Sequence, residues 1–221
     1  MRLVIMEWYK YSALIAASIC LATFLYRLIY LISLGLPKDL SKESGSVTKG
    51  IIYSFTGAMS PKEKESAYLH LPTYTAGVVF HLGIFSALLF FIWTVFTLVI
   101  SVETPELLSV VLIILLTLSA LSGISILLKR VFSEELRYLS CADDYISNIL
   151  STSALIATII LLTVNNSEAL YFIIMTTLFL WMPLGKTKHL LYFFFARLHL
   201  GFFYGRRGAW PKAKNRDYEI S

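Results

Sequence analysis

The chain has 221 residues, of which 57% are hydrophobic and only 15% charged, with a mean hydropathy of +0.71. A soluble globular domain carries about 25% charged residues, so the composition argues against a water-soluble enzyme and for a polytopic membrane protein forming one domain over residues 1–221. The net charge of +5 comes from basic residues between apolar runs, where membrane topology explains them, and is no sign of nucleic-acid binding.

The N-terminus, MRLVIMEWYK, is a poor signal peptide because Glu7 and Lys10 interrupt it, so the first span is expected to be retained. That span runs from about Tyr11 to Leu34, with Arg27 set between Tyr26 and Tyr30. A charge in a span is costly unless it snorkels to the surface or finds a partner. Residues 35–69 form the longest polar stretch. It holds a short apolar run, IIYSFTGAM, that suits an interfacial helix. Ser60, Pro61 and Glu63 then read as a cap, first position and third position of a helix leading to His70. The second span ends at Ile100, the third covers about Leu107–Leu128, and the turn Leu139–Tyr145 caps a fourth at about Ile146–Val164. After Asn165, Asn166 and Ser167, a fifth helix is expected to start near Glu168 and continue past Pro183. Cys20 and Cys141 have no metal spacing, and a disulfide between them is not expected.

These elements predict an all-α membrane protein, a five-transmembrane-helix bundle with its N-terminus outside and its C-terminus cytoplasmic, in the cell inner membrane. The orientation follows from the basic residues. Inner segments hold Lys38, Lys42, Lys49, Lys62 and Lys64, then Lys129, Arg130 and Arg137, then Lys186, Lys188, Arg197, Arg206, Arg207, Lys212, Lys214 and Arg216; outer ones hold Arg2 and Lys10. A cytoplasmic loop at about 35–69 and a tail at about 200–221 would offer a partner its docking side.

The stretch from His70 to Ile100 carries the chemistry. About 20 apolar residues at about 1.5 Å each cross roughly 30 Å of hydrocarbon, and this one holds an imidazole, His81. Gly77 is one helical turn earlier on the same face and Gly83 two residues later. A buried imidazole flanked by missing side chains leaves room for a large flat group such as b-type haem. The plain alternative is a histidine bonded to a neighbouring helix, with glycines serving helix packing. Bis-histidine ligation needs a second imidazole on another helix, and His189 on the fifth lies at a compatible depth, with His199 a further candidate. Arg27, His70, Tyr74, Lys186 and Arg197 are candidate contacts to haem propionates or to a quinone, and Asp144 is a further lining residue. The basic ones also fit a pattern that only obeys topology. His70 and His81, eleven residues and about 16 Å apart along a helix, leave open a second haem on His70 and His199.

Phe80-His81-Leu82-Gly83-Ile84, Pro183 with His189 six residues on, the Cys141–Tyr145 turn and the tail from Arg197 through Gly205-Arg206-Arg207-Gly208 resemble the membrane cytochrome b, or gamma, subunit of respiratory nitrate reductase. The likeness is closer to its relatives in heterodisulfide-reductase-like and sulfate-reducer redox complexes. The resemblance implies that His81 and His189 ligate the haem nearer the cytoplasm. The ligands of the family's outer haem would fall near Phe91 and Tyr171, neither of which is histidine, so one haem b is expected. It further implies electron transfer between a membrane quinol pool (menaquinone or another quinone) and a cytoplasmic iron–sulfur subunit resembling heterodisulfide reductase. Other membrane subunits, and in some relatives periplasmic cytochromes, complete such complexes. The chain would belong to an oxidoreductase without being catalytic alone. The rival reading is a haem-free structural anchor for a cytoplasmic redox subunit. A transporter has little support without inverted repeats, and a channel lacks a polar helix stripe.

Overall fold

The computed structural model describes residues 7–35, 39–63, 68–100, 102 and 104–211. Arg2, Lys38, Lys64, Lys212, Lys214 and Arg216 of the topology argument, and the lead-in at 64–67, lie outside them. The helices are α1 (Trp8–Ser33), α2 (Val47–Phe55), α3 (Leu71–Ile100), α4 (Glu106–Phe132), α5 (Glu134–Tyr138), α6 (Ala142–Thr163), α7 (Glu168–Trp181) and α8 (His189–Arg206). Single 3-10 turns occur at Gly57–Met59, Pro61–Glu63 and Lys186–Lys188. No strand occurs among the described residues. Four helices, α1, α3, α4 and α6, are long and apolar enough to cross a membrane, and α7 with Lys186–Arg206 makes a fifth if that broken pair is one span. The chain is an all-α, multi-pass membrane protein.

The expected continuous fifth helix is corrected: it stops at Trp181, and His189 opens a new helix instead of lying inside a long one. Pro183 has no N–H and its ring crowds the carbonyl one turn back. The last backward bonds are Met182 N–H to Leu178 O and Gly185 N–H to Trp181 O, both at 2.9 Å. A side chain at Gly185 would meet the Trp181 ring and the Asp143 carboxylate.

Two compact units divide the chain, one of residues 1–24 and 72–187, the other of 25–71 and 188–221. In the first, α3, α4 and α6 share a core of Ala87, Phe90, Leu112, Leu116, Ala120 and Leu155. Small residues let these helices approach. Gly83 faces Ser119, whose hydroxyl donates to Val79 O at 2.8 Å, and Gly123 accommodates the Phe80 ring and Thr152. The ends of the helices are matched by polar contacts that fix an alternating order. Lys129 Nζ reaches Thr73 at 2.7 Å, so α4 ends where α3 begins. Lys10 pairs with Glu168, Tyr9 stacks on Phe172 and Ser12 bonds Thr176, so α1 and α7 start at the same end.

The second unit was not foreseen as a folded body. Its loop and tail form a helix pair, α2 against α8, joined through backbone. Gly50 lies against Gly201 and Gly205, and a side-chain carbon at Gly50 would come within 2.3 Å of Gly205 Cα. Ser54, fully buried, donates to Arg197 O at 2.8 Å. At the carboxyl end of α8 the N–H groups of Ser44 and Gly45 donate to Arg206 O at 3.0 and 3.1 Å, satisfying a carbonyl the helix leaves unpaired. Gly208, at φ +67°, takes the left-handed conformation that ends the helix, and Ala209 N–H turns back to Tyr204 O at 2.9 Å.

Candidate functional site

His81 sits on α3 with its ring exposed. Its Nδ1 lies 2.6 Å from Gly77 O. A carbonyl only accepts, so Nδ1 is the donor in this bond. That is the arrangement by which a metal-binding histidine is oriented through a backbone carbonyl. Nothing lies within 4 Å of where a Gly77 side chain would be. The expected buried imidazole is thus corrected to an exposed one. Of the two flanking glycines only Gly77 leaves space, because Ser119 fills the space beside Gly83.

His189 is the first residue of α8 and is exposed. His199 lies ten residues on, half-buried, its ring 4.1 Å from that of Phe195. His70 is exposed in the turn just before α3, and Tyr74 lies half-buried in the first turn of α3. His81 belongs to the first unit; His70, His189 and His199 belong to the second. Among the described residues no three His, Cys, Asp or Glu side chains converge as a multi-ligand metal site requires. A bis-histidine iron needs only two protein ligands.

Asp144, Lys186 and Arg197 are engaged in the fold. Asp144 is a charge hub: it takes Lys186 Nζ at 2.7 Å, Arg130 Nη1 at 3.3 Å and the Cys141 backbone N–H at 3.0 Å. One residue earlier, Asp143 accepts from Ser147, which accepts from Trp181 Nε1 at 3.0 Å. These contacts fasten the break after α7 to the start of α6 and the end of α4. Arg197 directs Nη2 at Met59 Sδ and lies over the Phe193 ring at 5.7 Å. Arg27 has a buried Nη1 with no hydrogen-bond partner, and Arg206 a buried Nε in the same condition.

Where the resemblance would place ligands of an outer haem, Phe91 and Tyr171 are 5% and 0% exposed, with ring centroids 6.4 Å apart. Phe179 packs on Phe91 at 4.8 Å and Phe172 on Tyr171 at 5.2 Å. Aromatic packing occupies that level of the first unit.

No family model, curated protein or solved structure matches the chain.

Two features escaped the sequence reading. The α2–α8 glycine contact had a signal, Gly201 and Gly205 four apart with Gly50 in a short apolar run, which is the small-xxx-small spacing of close helix pairs. The Asp144 hub had none, because Arg130 and Lys186 are brought to it only by tertiary structure.

Proposed function

We propose that this chain is the membrane anchor subunit of a larger complex, a haem-free structural element to which a cytoplasmic redox subunit docks on the basic side. The observation that carries this reading is the interlocked pair of α2 and α8. The long loop and the tail form a preshaped platform whose backbones touch at Gly50 and Gly205. A platform of that kind is what an anchor must offer to a docking subunit. The redox character of the partner, its likeness to heterodisulfide reductase and the cytoplasmic position of the platform follow the motif resemblance and the charge asymmetry.

One observation favours the electron-transfer reading as a second. The hydrogen bond from His81 Nδ1 to Gly77 O orients the imidazole as a backbone carbonyl orients a metal-binding histidine, and nothing lies within 4 Å of where a Gly77 side chain would be. On that reading His81 and His189 hold a single haem b, with Arg27 and Arg197 as the cations for its propionates. A haem so bound supplies one-electron transfer between a quinol and an iron–sulfur partner. Lys186 is then a structural residue, since Asp144 holds it. A reduced-minus-oxidised spectrum of the purified chain separates the two. An anchor shows no reducible b-type band; a haem subunit shows one that His81→Ala and His189→Ala both abolish.

A further inference from the structure

Charge is unequally divided between the two units. The unit of residues 25–71 and 188–221 holds thirteen Lys and Arg against six Asp and Glu, a net +7; the other holds six against eight, a net −2. Basic segments in short loops are expected of any membrane protein, but among the described residues two of these cations also hold a nitrogen that no acceptor meets. Asp39 is taken by Arg207 through two bonds of 3.0 and 3.1 Å. Arg27 and Arg206 each keep a buried guanidinium nitrogen with no acceptor. A partly buried cation without a counter-charge is costly unless an anion is supplied from elsewhere.

The position of Arg27 points to the source. It lies nineteen residues after Trp8 in the continuous helix α1, a rise of about 28 Å, close to the roughly 30 Å hydrocarbon thickness. With Trp8 at one interface, Arg27 falls at the opposite one, at phosphate depth, with exposed Tyr26 and Tyr30 around it. Arg206 closes α8 near a second set of rings, Tyr53, Tyr204 and Trp210, with the tyrosine centroids 5.6 and 4.8 Å from that of Trp210. Tyrosine and tryptophan sit where an apolar body meets water.

We propose that the unit containing α2 and α8 is a binding surface for anionic phospholipid headgroups, with Arg27 and Arg206 as the guanidiniums that meet the phosphates. The lipid is recognised by charge, so a zwitterionic headgroup does not substitute. This inference stands apart from the anchor reading, and the spectrum that tests that reading does not bear on it.

The test is amide exchange of the full-length chain in nanodiscs of phosphatidylcholine alone and of phosphatidylcholine with phosphatidylglycerol. Anionic lipid is expected to slow exchange in residues 44–55 and 197–208 by about tenfold, with α4 and α6 unchanged, and high salt removes the difference. Arg206→Gln and Arg27→Gln each narrow the difference to about threefold. Equal exchange in the two lipid compositions overturns the proposal. So does a slowing that persists in high salt or in the double variant, because binding then owes nothing to these charges.

Discussion

At the scale of single residues, two glycines on comparable helices do opposite work. At Gly50 a side-chain carbon would lie 2.3 Å from Gly205 Cα, a backbone atom that cannot turn aside. Gly50→Leu should therefore open the α2–α8 pair, at a cost of about 1–3 kcal/mol or more in local stability, read as lost amide protection over residues 44–55. At Gly77 nothing lies within 4 Å, so Gly77→Ala should be tolerated and, by removing a mid-helix glycine, stabilise α3 by roughly 0.5–1 kcal/mol. If both substitutions proved equally disruptive, the close approach at Gly50 would not be what holds the pair. Asp39 makes a pH-dependent prediction. The Arg207 guanidinium, with the Ser41 N–H and hydroxyl, holds its carboxyl below the usual carboxylate range. A carboxyl depressed in the folded state stabilises fully above its unfolded value of about 3.9 and loses that contribution as pH falls through the folded one. Protection factors at Ser44 and Gly45 should thus be flat from about pH 8 to 5 and fall only in strong acid. Asp39→Asn should lower them throughout; a decline beginning near neutrality would show another group in control.

At the scale of elements, the break after α7 is the feature that separates pattern from structure. Apolar residues run almost unbroken from Glu168 to beyond Pro183, so hydrophobicity alone suggested one long helix. What ends it is Pro183 together with contacts distant in sequence: Trp181 to Ser147, and Lys186 to Asp144 with Arg130. The long spans were legible because a run of about 20 apolar residues has few alternatives in a bilayer. The turn at Cys141 was legible from its acidic first residues, and the structure adds the N–H that Asp144 accepts. The α2–α8 pair was not, because its energy lies in backbone approach, which hydropathy does not register. His81 was found by residue type, yet its environment was misread, since neighbouring glycines do not reveal which of them faces another helix. Asp144→Ala should loosen the break and raise protease cleavage between Met182 and Lys188. Trp181→Phe, which removes one hydrogen bond worth about 1 kcal/mol, should do so more weakly. Unchanged cleavage in Asp144→Ala would show that Pro183 alone sets the break.

At the scale of the whole molecule, the chain joins a set of membrane-crossing helices, near neutral and tied at both ends, to a basic helix pair built from its loop and tail. That division suits an anchor: the apolar helices are long enough to fix the chain in a bilayer, and the pair is itself a shaped surface. Pyridine-haemochrome quantitation on the purified, full-length chain bears on this most directly. An anchor gives essentially no haem, and the value is the same in wild type, His81→Ala and His189→Ala. About one haem per chain, lost in both variants, would contradict the anchor and establish the two histidines as axial ligands.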